Sequence, residues 1–154
     1  MMTRRRFVAV SAGAALAGPA AVAQQGVLRL GADEVEECVR VAHFDLDKVK
    51  ELVAARPALA RAAWDWGGGD FETCLGAAAH MGRRDIAGFL LESGASFDLF
   101  ASAMLGELSA VQAVIAARPG LLHSKGAHGL SLVYHAERGG ADETAAWLKE
   151  QGAE

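Results

Sequence analysis

Five histidines are the side chains of this sequence best suited to metal or acid–base chemistry. Imidazole is a common zinc ligand, and His43, His80 and His135, joined by one carboxylate, would form a set of the kind that zinc binds. No His-x-x-His or His-x-x-x-His pair is present, however, to hold two ligands on one face of a helix. Capping or hydrogen bonding in a loop explains His123 and His128. The sequence therefore favours ordinary polar roles for all five histidines, and metal binding is the alternative hypothesis.

The sequence lacks the common catalytic motifs. It has no Gly-x-Ser-x-Gly nucleophile turn, no His-Glu-x-x-His zinc motif and no phosphate-binding loop that ends in Gly-Lys-Ser or Gly-Lys-Thr. The three consecutive glycines at 67–69 have no lysine after them and no strand-to-helix setting, so they predict a flexible loop tip. We therefore predict a protein that is not an enzyme, with no catalytic residue, no cofactor and no metal.

Two tryptophans, Trp64 and Trp66, precede the glycine run and are separated by one aspartate. Exposed indoles on a mobile loop are typical anchors for a binding partner. The alternative is that one or both fold back and cover the edge of the first helices, and the sequence supports the two interpretations equally. Trp147 lies at helical spacing near the end of the chain, and we expect it in the core or as a cap of the last helices, not in contact with a ligand.

The two cysteines, Cys38 and Cys74, are too few for a fold that depends on disulfides. A bond between them requires Cα atoms within about 7 Å of each other. Neighbouring helices pack about 8–10 Å apart, so we expect two separate buried thiols, with a disulfide as the alternative.

Residues 1–23 have the pattern of a cleaved export signal. Three arginines at 4–6 precede a short apolar run, and small residues at 21–23 supply what a signal peptidase requires. The segment 3–7 resembles the twin-arginine signal, with Sec export and an uncleaved anchor as alternatives. Cleavage would leave residues 24–154 in a bacterial periplasm. Because three arginines and no acid are lost, the net charge would change from −4 to −7, which disfavours nucleic acid and anionic lipid as partners.

The remaining chain has the periodicity of many short helices. Apolar residues recur at spacings of three and four, as in 49–53, and no segment sustains a two-residue alternation. Two sequences also recur: VAARPAL at 53–59 returns as IAARPGL at 115–121, and LLESGA at 90–95 returns as LKEQGA at 148–153. Each ends a helix at proline or glycine, so the pattern predicts four helix pairs.

These helix pairs resemble ankyrin repeats. That family has a Thr-Pro-Leu-His start, small alanines on the first helix, glycine at the turn, and Leu-Leu followed by Gly-Ala at the end of the second helix. The chain carries matching residues at Thr73-Cys74-Leu75-Gly76, Ala78-Ala79, Gly82, Leu90-Leu91 and Gly94-Ala95, and again at Ser131-Leu132-Val133-Tyr134, Ala136, Gly140, Leu148 and Gly152-Ala153. The hydroxyl groups of Thr73 and Ser131 are expected to cap the helices that follow them.

Two of the four repeats depart from the family pattern. Turns between paired helices are expected at Phe44, Gly82, Gly106 and Gly140. These positions are 38, 24 and 34 residues apart, whereas the family repeats at about 33. An insertion at 64–69 lengthens the first spacing, and the chain shortens the second by leading directly from Asp98 into a helix. The apolar stretch 99–117 nearly reaches the length of a membrane span, but Gly106-Glu107 predicts a turn between two buried helices.

The resemblance implies an all-α ankyrin-repeat solenoid of about four helix pairs over 34–154, with irregular first and third repeats and a lead-in at 24–33. It implies a non-catalytic protein–protein interaction module that binds a protein or peptide through its concave surface and loop tips. Binding of a metal or small molecule by histidines of this groove, or a role as accessory subunit exported with a folded enzyme, are the alternatives. We expect a monomer without a membrane span. The expected partner-binding residues are His43, Trp64, Trp66, Asp70, Glu72, His80, Met81, Met104, Leu105, His128 and Arg138.

Overall fold

The computed structural model describes residues 29–154, so the expected export signal at 1–23 lies outside the described residues. This part of the chain forms eight α-helices and one short hairpin. The helices are α1 (Ala32–Val41), α2 (Leu46–Ala55), α3 (Cys74–His80), α4 (Arg84–Glu92), α5 (Leu99–Leu105), α6 (Leu108–Ala117), α7 (Leu132–Arg138) and α8 (Asp142–Glu150). Short 3₁₀ turns occupy Pro57–Arg61, Pro119–His123 and Ala127–Gly129.

Side-chain caps set the starts of several helices. Thr73, Asp98 and Ser131 each accept a hydrogen bond from the backbone N–H three residues later, at 2.8, 2.8 and 3.2 Å. Such a bond satisfies one of the N–H groups that the first turn of a helix leaves without a partner. The caps expected at Thr73 and Ser131 are therefore confirmed, as is the direct entry from Asp98 into α5.

Consecutive helices pair, and the first helices of successive pairs pack side by side. Helix α1 contacts α2 and α3, α3 contacts α4 and α5, and α5 contacts α6 and α7. The alanines at 77–79 are completely buried and let the α3 backbone lie close to its neighbours. Two hydrophobic clusters form the core, one built from residues between Cys38 and Met104 and the other from residues between Ala103 and Ala153.

The stretch 99–117 forms two helices, as predicted, with Gly106 in the left-handed region at their junction. The structure contains no helix long and apolar enough to span a membrane among residues 29–154.

The turns that end α3, α5 and α7 are packed tightly together. A Cβ at Gly139 would overlap the carbonyl oxygen of Met104, so this position has room only for glycine. The Arg84 guanidinium donates to the carbonyls of Met104 and Leu105, both at 2.8 Å. The Met104 side chain is completely buried, so the prediction that it binds a partner is wrong. Leu105 takes part in this contact through its backbone carbonyl.

One two-stranded hairpin departs from the purely helical expectation. Strand β1 (Ala63–Asp65) pairs antiparallel with β2 (Phe71–Thr73), and Trp64 lies opposite Glu72. All three glycines at 67–69 have positive φ, which allows the chain to reverse between the strands. Each strand has only three residues, too few to produce a recognisable two-residue alternation in the sequence.

Candidate metal centre

Four side chains from four separate elements meet at one point. They are His43, Glu72, His80 and His128, and the nitrogen or oxygen atoms that could bind a metal all lie within 4.8 Å of one another. We call this group the His–Glu cluster. His43 follows α1, Glu72 lies in β2, His80 ends α3 and His128 lies in the 3₁₀ turn before α7.

The end of α3 brings one member of the cluster onto another. His80 is the last residue of the helix, and helical side chains point back toward the N-terminus. Strand β2 leads directly into the start of the same helix and carries Glu72. The Nδ1 atom of His80 lies 3.1 Å from Oε1 of Glu72.

Glu72 is the centre of the cluster and is only 1% exposed. The indole N–H of Trp66 donates to its Oε2 at 2.8 Å. Burial raises the pKa of Glu72, but the contact with His80, the hydrogen bond from Trp66 and the charge of His43 together hold it below its ordinary value. Glu72 is therefore an anion at neutral pH in a place that water does not reach, and such a charge requires a positive partner.

Oε1 of Glu72 and Nδ1 of His80 are buried, and neither has a hydrogen-bond partner among the described residues. The two atoms lie 3.1 Å apart, which allows an ion pair but not a well-formed hydrogen bond. Native proteins rarely leave buried polar atoms unsatisfied, and a missing ion is one recognised explanation. These two buried atoms without hydrogen-bond partners therefore indicate a ligand between them.

Hydrogen bonds from outside the cluster orient two of its imidazole rings. Asp70 accepts from both the backbone N–H and the Nδ1 of His128, at 2.8 and 2.7 Å. Nδ1 of His43 lies 3.0 Å from the carbonyl oxygens of Val39 and Arg40. With Nδ1 engaged in each ring, Nε2 is the nitrogen that could bind a metal, and both Nε2 atoms face Glu72. Metal-binding histidines commonly have this arrangement, in which the second nitrogen donates to a carboxylate or a carbonyl.

The contact with Asp70 also holds an uncommon backbone conformation. His128 is the one non-glycine residue with positive φ, 57°, among residues 29–154. The two hydrogen bonds from His128 hold the pKa of Asp70 below its ordinary value, so Asp70 is a carboxylate at neutral pH. A residue held in this region costs about 1 kcal/mol or more and persists where its surroundings fix it, often at functional sites.

The other residues predicted to bind a partner have different surroundings. Trp64 is half-buried and packs against the first hydrophobic cluster, which agrees with the interpretation that an indole covers the edge of the first helices. Trp66 is 39% exposed while its N–H reaches Glu72. Met81 is exposed at the turn after α3, and Arg138 ends α7 on the surface. Trp147 packs against the second hydrophobic cluster, as expected.

The structure replaces one member of the zinc set considered from the sequence. His135 is buried, and its Nδ1 lies 2.7 Å from the carbonyl oxygen of Ser131. It lines a cavity of about 310 Å³ together with Asp98 and Lys125 and does not join the cluster. His128, which was expected to form loop hydrogen bonds and to contact a partner, takes its place. The sequence offered no spacing that joins His128 to Glu72, because they meet only through the tertiary fold.

Compared with known proteins, the chain matches no protein-family model, and no curated protein matches its sequence. The function therefore has to be inferred from the geometry of the cluster.

Proposed function

We propose that this protein binds a divalent transition metal ion, with zinc as the best fit, through His43, Glu72, His80 and His128. The observation that carries the proposal is the convergence of three imidazoles and one buried carboxylate within 4.8 Å, from elements far apart in the sequence. This is the metal-binding alternative raised from the sequence, with a different third histidine.

The distances in the cluster suit tetrahedral coordination. Zinc binds nitrogen and oxygen at about 2.0–2.2 Å, which separates the ligand atoms of a tetrahedron by about 3.4 Å. Oε1 of Glu72 lies 3.1 Å from Nδ1 of His80 and 3.3 Å from Nε2 of His128. Oε2 lies 3.5 Å from Nε2 of His43. The four ligand atoms lie as much as 4.8 Å apart, so the side chains would have to rotate to bring all four donors to one ion.

The donor set also limits the choice of metal. Imidazole suits zinc, copper, nickel and iron, whereas calcium and magnesium prefer oxygen ligands. Three nitrogens and one oxygen therefore favour zinc, with copper and nickel as competitors. The His128 side chain is 37% exposed and that of His80 is 7% exposed. An ion would thus enter from the His128 side and come to rest against buried Glu72.

Calorimetric titration of the EDTA-treated full chain with zinc tests the proposal. We expect one zinc ion per chain. The variant His80→Ala should weaken binding by more than about 100-fold, because it removes a ligand, whose loss costs more than the loss of a supporting contact. His123→Ala is the matched control, since His123 is exposed and lies outside the cluster. Absence of heat with zinc, copper and nickel, or equal binding by the two variants, would overturn the assignment.

We also propose that the helix pairs form an ankyrin-type stack. The side-by-side packing of α1, α3, α5 and α7 supports this, as do the caps at Thr73 and Ser131. Export to the periplasm through the segment 1–23 stays a prediction. Edman sequencing of the protein recovered from a periplasmic extract tests it, since the expected mature chain begins at Gln24.

A non-catalytic interaction with a protein or peptide is the second candidate function. Its specific support is the exposure of Phe44, Trp66 and Met81, at 55, 39 and 37%, because each lies next to the His–Glu cluster in sequence or contacts it. Adaptable methionine and aromatic side chains suit protein interfaces. A photo-crosslinking residue at position 81 should capture a protein in intact cells, and the same residue at exposed position 143 should not. Equal capture at both positions would remove this candidate.

A further inference from the structure

Two buried thiols lie next to each other in the first hydrophobic cluster. Cys38 in α1 and Cys74 at the start of α3 are both free and completely buried. The Sγ atom of Cys74 lies 3.2 Å from that of Cys38. Both thiols are buried, as expected from the sequence, but they are much closer than the usual spacing of helices suggested. Cys74 is the first residue of α3 and directly follows strand β2 of the hairpin.

The pair needs little movement to form a covalent bond. A disulfide has an S–S distance of about 2.05 Å, so the two sulfur atoms must approach by about 1.2 Å. The carbonyl oxygen of Leu59 lies near both, 3.5 Å from Cys74 Sγ and 4.0 Å from Cys38 Sγ. No third thiol competes, because the chain has only two cysteines.

We infer that Cys38 and Cys74 are a modification site at which an external disulfide, such as oxidised glutathione, converts the two thiols to an intramolecular disulfide. The thiolate of Cys38 attacks one sulfur of the external disulfide, breaks its S–S bond and releases one thiolate. Cys74, after loss of its proton, attacks the sulfur of Cys38 in the mixed disulfide and releases the second. The two cysteines lose two electrons and two protons together, and the external disulfide gains them as two thiols.

The burial of the thiols determines when this reaction takes place. An oxidant cannot reach sulfur atoms that have no exposed surface, so exchange occurs while the chain folds or when the segment that leads from Leu59 to Cys74 opens. The bond then joins α1 to the junction of β2 and α3. These are the elements that carry His43, Glu72 and His80, so the bond would restrict their separation in the oxidised protein.

Mass spectrometry after refolding tests the inference. The full chain is refolded with EDTA in a mixture of reduced and oxidised glutathione, unfolded, and treated with a thiol-alkylating reagent. We expect a mass lower by two hydrogens with no alkyl group attached. We also expect a melting temperature about 10 °C above that of the reduced protein, because the bond closes a loop of 36 residues.

The variant Cys38→Ser is the matched control, and it should keep one reactive thiol or carry one glutathione. Alkylation of both cysteines in the natural chain, or a persistent glutathione adduct on either, would overturn the inference. EDTA keeps the result independent of the proposed metal centre.

Discussion

Replacing Glu72 by glutamine separates a metal centre from a purely structural cluster. Glutamine keeps the shape of the side chain and an oxygen that accepts from the indole of Trp66. It removes the negative charge that favours a cation. If no metal binds, Glu72 serves only to balance protonated histidines, and the variant would leave a buried positive charge without its partner. Breaking a buried pair in this way costs about 3–5 kcal/mol.

A metal centre predicts a different response to zinc. In EDTA the variant should melt below the natural chain under either hypothesis, because the groups that lower the pKa of Glu72 favour its anion in the folded protein. At a zinc concentration about 100 times the dissociation constant, zinc should stabilise the natural chain by about 2.7 kcal/mol. For a chain of this size that corresponds to a rise of roughly 5–10 °C in melting temperature. A loss of about 100-fold in affinity would leave the variant only about 0.4 kcal/mol, or roughly 1–2 °C.

Differential scanning calorimetry with and without zinc measures both quantities. Glu143→Gln, an exposed change on α8, removes the same charge far from the cluster and should respond to zinc like the natural chain. The reasoning is refuted if Glu72→Gln rises as much with zinc as the natural chain does. It is also refuted if the variant is destabilised by several kcal/mol in EDTA while zinc leaves the natural chain unchanged.

Three further predictions concern residues around the site and in the core. Asp70→Asn should weaken zinc binding about 10–100-fold in calorimetry. The amide nitrogen of asparagine cannot accept the hydrogen bond from Nδ1 of His128, and that bond orients the ring so that Nε2 is available to a metal. Gly139→Ala should lower the free energy of unfolding in urea by about 2 kcal/mol, since the new methyl group meets a carbonyl of α5, whereas Gly88→Ala, in open space on α4, should raise it by up to about 1 kcal/mol. Burial lowers the pKa of His135, so as the pH falls this side chain binds a proton more readily in the unfolded chain than in the folded one. Stability in EDTA should therefore fall as the pH drops below about 6.5, and less steeply in His135→Gln.

Each of these predictions has a control and a contradicting outcome. Asp65→Asn is the control for Asp70→Asn, because it removes the same charge from the same hairpin, where Asp65 accepts from the N–H of Gly67. An equal loss of zinc affinity in both variants would show that Asp70 does not orient His128. Equal effects of alanine at the two glycines would contradict the close approach of the turns. An unchanged pH slope without His135 would show that another group causes the loss of stability at acid pH.

The helices and their ends could be predicted because local interactions determine them. Thr73 and Ser131 cap the N–H groups of the next turn, a bond that depends only on three neighbouring residues. The tight turns between paired helices require positive φ values, and glycine supplies them at Gly82, Gly106 and Gly140. The hairpin was missed because its strands are short, and its reversal depends on glycines that a loop would contain as well.

The candidate site could be predicted only in part, because tertiary contacts assemble it. His43 and His80 precede consecutive turns between paired helices, and both already belonged to the zinc set considered from the sequence. Glu72 and His128 are 56 residues apart, in a short strand and a 3₁₀ turn whose relative position no local pattern determines. His135 was a reasonable third ligand by composition, but its position in α7 directs its ring toward Phe100, at a centroid distance of 5.0 Å.

A bound metal ion would have a structural consequence, because the proposed ligands come from both parts of the core. His43 and His80 adjoin helices of the first hydrophobic cluster, whereas His128 precedes α7, which belongs to the second. Asp70 in the hairpin already holds the loop of His128 across this boundary, at the surface and in a conformation that costs energy. An ion bound to all four side chains would add a strong link at the same boundary. Its stabilising effect should therefore reach both hydrophobic clusters, because neither could then separate from the other without losing a ligand.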